Sequence, residues 1–301
     1  MSLVKLLSLA FFLFTGSLSF ACIVRDDAGN LVYLPRPAER IITLSPDLAE
    51  LAFALHAGQS VVGVIEGSTY PAAAQKIPRV GDYQSLDFER ILVLHPDLIL
   101  AWGESHGRQI ESLKRLSIPV FISHTHHLRE IPYTLRRLAC LMGKEKEASL
   151  LAEHFLVHYQ RIKQKYHKSF PIRVFYQLAS HPLITLNQTS WISEAIALCG
   201  GRNIFASTGL TTPFKQTAFA VSREAVVERD PELIIADLPF NWQESWLAWP
   251  SVSAVKNHHL VSLPPDLLER PGPRILEGVE ELCRIMHNPC YNKALARKSV
   301  G

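Results

Sequence analysis

At 301 residues, 48% of them hydrophobic and 20% charged, the chain is long enough for two domains of ordinary size, and its composition excludes extended disorder. Its formal charge of +3 is scattered, with no run of five like charges, which excludes the basic stripe that nucleic-acid binding needs.

Residues 1–21 carry Lys5, the apolar run LLSLAFFLF and a small-x-small site at Ser19-Phe20-Ala21, the outline of a secretory signal peptide cut after Ala21. The run is shorter than the ~20 residues of a spanning helix. A lipid on Cys22 is the alternative, and Ser19 and Phe20 count against it as a lipobox. Export makes disulfides admissible. A Cys199–Cys283 bridge would tie the first and last helices of the second half. Cys140, in an apolar helical pattern, reads as a buried free thiol, and Cys22 and Cys290 remain a candidate pair; connectivity is not set by sequence.

After the signal, DDAGN between short β-like runs predicts a hairpin over residues 23–39. IITLSP is a buried strand, DLAELAFALHAG a helix ended by Gly58, and VVGV the next strand, followed by the loop EGSTYP. DFERILVLHPDLILAW then reads as a helix, a turn at Pro96 and a strand ending on Trp102. The helix RQIESLKRL and the strand IPVFISH follow. Continuous apolar strands alternating with helices predict a parallel sheet covered on both faces. A helix without Gly or Pro runs from Lys144 to Lys168, with Leu151, Phe155, Tyr159 and Ile162 on one side. Beyond Pro171 the alternation resumes through RVFYQLA, WISEAIALCGG, HLVSLPP and ILEGVEELCRIMH.

The Asp87–Trp102 stretch returns without a gap as SREAVVERDPELIIAD, 135 residues later: Glu89 meets Glu224, Pro96 meets Pro231 and Asp97 meets Glu232. A looser echo pairs ELAFALHAG from Glu50 with EAIALCGG from Glu194. The repeat predicts an α/β protein of two Rossmann-like lobes with parallel sheets, joined by a single long rigid helix, with a ligand cleft between them. The lobes are residues 22–143 and 171–290, the linking helix 144–170 and a loose tail 291–301.

Ligands of open parallel sheets bind beyond the carboxyl ends of the strands. Tyr70, Tyr83, Trp102, Phe214, Phe219, Asp266 and Arg270 fall there, and loop aromatics at matching strand ends suit a large, flat, partly apolar ligand. Singly, each is more often ordinary packing. Glu89 and Glu224 have a plain reading as first-turn carboxylates behind the N-caps Asp87 and Ser222. Their repetition points instead to two equivalent docking charges for a two-fold symmetric partner. His124, His126 and His127 read as a solvated loop, with axial ligation of a metal-bearing ligand by His126 or His127 a lesser alternative. Dinucleotide, P-loop, GxSxG and HExxH signatures are missing, and Gly200-Gly201 closes a helix, so an enzyme, such as a two-domain Rossmann-like transferase, is disfavoured.

ERIITLSPDLAELAFALHAG, VVGV, FERILVLHPDLILAW, LCGGRNIF and VSREAVVERDPELIIA resemble the periplasmic substrate-binding proteins of ABC importers for cobalamin, haem and iron–siderophores, over about Ile41 to His287. Among these the similarity, carried by DLLERPGPRI and the Cys199 and Cys283 pair, runs to the cobalamin binders. The resemblance implies a periplasmic protein, monomeric when free, that has no cofactor and no catalysis and delivers cobalamin to a permease and ATPase complex. Haem or an iron–siderophore is the alternative cargo, and Arg270 and Arg274 would suit its carboxylates. Tyr70, Tyr83, Trp102, Phe219 and the loop Asp266, Leu267, Leu268, Glu269 and Arg270 correspond to ligand contacts, and Glu89 and Glu224 to the permease-docking pair. Gly67 stands where the cobalamin binders carry a tyrosine.

Overall fold

A computed structural model describes residues 21–103, 105–166, 171–208, 217–236, 238 and 241–287. The signal segment 1–20, Phe214, Asp237, Cys290 and the tail lie outside the described residues.

The chain opens with the hairpin β1 (Cys22–Arg25) and β2 (Leu31–Leu34). There follow β3 (Ile41–Thr43), α1 (Pro46–Ala54), β4 (Val61–Val64), α2 (Phe88–Val93), β5 (Leu98–Trp102), α3 (Gly107–Arg115), β6 (Val120–Ser123) and α4 (Ile131–Met142). The long helix α5 covers Glu145–Tyr166. The second half runs through β7 (Ile172–Gln177), β8 (Ala179–Ser180), β9 (Leu183–Leu186), α6 (Trp191–Leu198), β10 (Gly201–Asn203), β11 (Ala218–Ala220) and α7 (Arg223–Arg229). It closes with β12 (Leu233–Ala236), α8 (Glu244–Leu247), α9 (Ser253–Lys256), β13 (Leu260–Ser262), α10 (Pro265–Leu268) and α11 (Ile275–Met286).

Each half holds a four-stranded parallel sheet, and the two share one strand order: β4-β3-β5-β6 and β10-β7-β12-β13. The repeat is legible in detail. The α2–β5 unit matches α7–β12, and the acidic residue after each proline staples the neighbouring strand. Asp97 accepts the backbone N–H groups of Glu39 and Arg40 at 3.0 and 2.9 Å, and Glu232 accepts that of Arg173 at 3.0 Å. A carboxylate that satisfies backbone donors at a strand's start fixes its register against the next strand. The small antiparallel sheet β11-β9-β8 departs from the strand–helix alternation expected for the second half.

Strand residues alternate between the two faces of each sheet, so each sheet feeds two cores. Ile42, Ile99 and Ala101 pack on the outer side of the first sheet, and Phe175, Ile234 and Ala236 on that of the second. The inner faces, carrying Ile41, Leu98, Leu100, Val174, Leu233 and Ile235, belong to one continuous cluster. Helix α5 contributes Phe155, Tyr159, Ile162 and Tyr166 to that cluster. At 22 residues α5 is ~33 Å long and packs on α4 of the first half and on α6 and α11 of the second.

Two disulfides brace the helical layer. Cys199–Cys283 ties α6 to α11. Cys22–Cys140 ties the hairpin to α4, which corrects the reading of Cys140 as a free thiol and removes Cys22 as the partner of Cys290. A sulfur engaged in this bridge has no thiolate to alkylate, which counts against a lipid on Cys22. The bridges span 118 and 84 residues, for which restriction of the unfolded chain contributes ~4–5 kcal/mol each.

Candidate functional site

The carboxyl ends of both parallel sheets open onto one cleft, with about 950 Å³ of empty space counting its mouth. The first half lines it with Ser45, Pro46 and Asp47 after β3, Trp102 at the end of β5 and His126 after β6. The second half supplies Leu178 after β7, Trp191 at the start of α6 and Glu269 and Arg270 after α10. Trp102 and Trp191 meet across it, ring centroids 5.8 Å apart and nearly perpendicular at 83°. The Trp191 indole N–H donates to the Leu268 carbonyl at 2.7 Å, which fixes the ring. Two indoles of opposite halves in edge-to-face contact make a rigid apolar wall.

The structure brings only part of the sequence-derived set to this wall. Tyr83, Trp102, Glu269 and Arg270 line the cleft. Tyr70 packs instead beneath Arg274, whose guanidinium carbon lies 3.6 Å from the ring centroid. Phe219 is turned into the second outer core against Phe205, centroids 6.2 Å apart. Leu268 is buried in the inner core, the Leu267 backbone abuts Gly278, and Asp266 pairs with Arg270 at 2.6 Å. Gly67 adopts φ +82°, a conformation L residues avoid, and its carbonyl accepts from Arg270 at 3.0 Å. Trp191 escaped sequence reasoning because it reads as the first residue of an amphipathic helix. The one available signal was its place directly after the N-cap Ser190, whose hydroxyl accepts from the Ile192 N–H at 3.1 Å.

Two carboxylates, from the positions of the looser echo, cross the cleft in opposite directions. Glu50 of α1, its side chain 2% exposed, accepts from Arg270 at 3.0 Å and from Arg274 at 3.0 and 2.9 Å. Glu194 of α6 reaches the other way, to the Leu128 backbone N–H at 2.9 Å and the His127 ring at 3.3 Å. Glu194 also accepts from Tyr159 of α5 at 3.1 Å; burial, with the Glu194 charge and hydrogen bond adding to it, pushes that phenol up to about 12. Arg270 and Arg274 are therefore both engaged by Glu50, with Arg270 still lining the cleft. Removing one partner of a buried ion pair leaves the others charged and desolvated. Glu50→Ala is expected to lower unfolding stability by about 3–5 kcal/mol, seen as a fall in the urea midpoint. An unchanged midpoint would show that the arginines find other partners.

Asp47, beside Glu50 in the first turn of α1, accepts the Ser45 hydroxyl at 2.6 Å. Burial outweighs that bond and pushes its carboxyl up from 3.8 to about 6, with Glu50 adding to the rise. A carboxyl that binds its proton more tightly in the folded state stabilises fully at low pH and loses that contribution as pH rises. Between pH 4 and 6 the loss approaches about 3 kcal/mol. Asp47→Asn is expected to remove this dependence, so urea midpoints of variant and parent should converge near pH 4 and separate by pH 7, the variant higher.

The histidines do not gather. His127 is taken by Glu194, while the His124 ring lies over Gly103, where a Cβ would overlap it, and 6.3 Å from the Trp102 ring. His126 alone of the three lines the cleft. Among the described residues no group of three or more His, Cys, Asp or Glu side chains is arranged to hold a metal ion, and no helix is long and apolar enough to cross a membrane. Glu89 and Glu224 are exposed in the first turns of α2 and α7, behind the caps Asp87 and Ser222. The backbone N–H of Glu224 and the Ser222 hydroxyl hold the Glu224 carboxyl below its ordinary value.

Comparison with known proteins gives a consistent result. The family model described as periplasmic binding protein matches residues 41–267. The vitamin B12-binding protein of Vibrio cholerae is 37% identical over 266 residues, covering 87% of this chain and 94% of its own. That of Yersinia pestis is 36% identical, covering 85% and 90%. Among solved structures, the periplasmic vitamin B12 binding protein BtuF of Vibrio cholerae has a TM-score of 0.75 at 35% identity, covering 86% of this chain and 98% of its own. The periplasmic heme-binding protein RhuT from Roseiflexus sp. RS-1 has a TM-score of 0.73 at 22% identity, covering 85% and 99%, a likeness of fold alone.

Proposed function

Because the chain belongs to the periplasmic binding protein family, we propose that it captures cobalamin in the cleft between its two halves and delivers it to an ABC importer. The family is one of substrate-binding components of such importers, not of enzymes, so a permease and an ATPase are its partners. The observation that carries the ligand assignment is the Trp102–Trp191 wall at the carboxyl edges of both sheets, in a chain 37% identical to a vitamin B12-binding protein. A broad corrin ring needs a wide apolar surface and few charges, and the charged groups at this cleft's rim largely neutralise one another.

The same reading includes residues 22–143 and 171–290 as the lobes, export to the periplasm by residues 1–21, a monomer when free, and Tyr83, Trp102, Glu269 and Arg270 as ligand contacts. Glu89 and Glu224 are its docking charges. The continuous inner core and the two crossed carboxylates favour a cleft that changes width little on binding. Titration of the purified mature protein with cyanocobalamin, haem and ferric siderophores, followed by tryptophan fluorescence, tests the assignment. Sub-micromolar quenching by cyanocobalamin is expected; a response to haem alone would overturn it.

A further inference from the structure

Among the described residues His126 is the one imidazole on the cleft wall, and it shares that wall with Trp102 and Trp191. Its loop is held by main-chain bonds, the His126 and His127 N–H groups donating to Glu130 at 2.7 and 3.0 Å. Of the neighbouring rings, His127 pairs with Glu194, and His124, whose Nε2 is buried without a hydrogen bond, stands nearly perpendicular to His126 with centroids 6.0 Å apart. Among the described residues the His126 ring makes no hydrogen bond and no ion pair. A fixed, partly buried, unpaired imidazole facing a flat-ligand cleft is suited to coordinate a metal.

We propose, resting on the corrinoid reading above, that His126 is an axial ligand to the cobalt of the bound corrinoid. The macrocycle fills four equatorial positions of Co(III) and leaves axial positions for exchange. In the step, a neutral His126 ring nitrogen donates its lone pair to cobalt and the cobalt–oxygen bond of a bound water breaks. The water leaves, the other ring nitrogen keeps its proton, and cobalt remains Co(III). The residue would make the site selective for corrinoids whose outer axial ligand is labile over those carrying a tightly held one.

The test compares aquacobalamin, whose outer ligand is water, with cyanocobalamin, whose outer ligand is cyanide. The unaltered protein should bind aquacobalamin at least ten-fold more tightly than cyanocobalamin. It should also shift the corrin absorption bands toward those of aquacobalamin mixed with free imidazole. His126→Ala should bring the two affinities within two-fold and abolish the shift. Because Glu130 holds the loop through backbone groups, this variant should keep its circular dichroism spectrum. Equal affinities in the unaltered protein, or a shift that survives His126→Ala or is lost only in His124→Ala, would overturn the coordination. Failure of the unaltered protein to bind cyanocobalamin at all would overturn the corrinoid reading itself, and the coordination with it.

Discussion

Replacing Glu89 and Glu224 together with alanine is expected to abolish uptake of the ligand while leaving its affinity within two-fold. Both carboxylates stand exposed in the first turns of equivalent helices, and neither lines the cleft. The helices do not need them as caps: Asp87 accepts the Arg90 N–H at 2.9 Å and Ser222 that of Ala225 at 3.2 Å, and both bonds survive the substitutions. In the proposed docking, the pair offers two negative charges on equivalent units of the two halves, to meet two basic groups of a two-fold symmetric permease. Such rim charges act on encounter and register. Uptake by cells carrying the variant as their only binding protein, measured beside calorimetric affinity, separates the roles. Lost affinity would place the carboxylates in ligand binding; undiminished uptake would remove them from docking.

The second large effect belongs to the indole wall. Trp102→Ala is expected to weaken cobalamin binding about 30-fold, the loss typical of a buried aromatic anchor worth ~2 kcal/mol. Trp191→Ala should cost a similar factor, and the double variant less than the product, because the rings touch at 5.8 Å and share their partner. Trp191→Phe keeps a ring but loses the indole N–H to the Leu268 carbonyl, so it should fall between parent and alanine variant. Calorimetry is the appropriate readout, since these substitutions remove fluorophores. Full affinity in Trp102→Ala would move the ligand away from this wall.

Much of this protein was legible in its sequence because the governing signals are local. Continuous apolar strands separated by helical periodicity define two parallel sheets, and the 135-residue repeat makes them equivalent. The strand end at Trp102 and the first-turn glutamates follow from the same units. The contacts that shape the cleft were not legible. Glu50 reads as one polar residue on an apolar helix, yet it binds arginines 220 and 224 residues away. Cys22 meets Cys140 across 118 residues. Tyr70 and Phe219, matched to strand ends by position, turn to Arg274 and to an outer core, whereas Trp191 turns to the cleft. Periodicity and capping are properties of a few consecutive residues, so the chain's order alone determines the two lobes and where their strands end. Which side chains meet across the cleft depends on how one sheet is set against the other through the shared helical core, and the tertiary structure alone decided that.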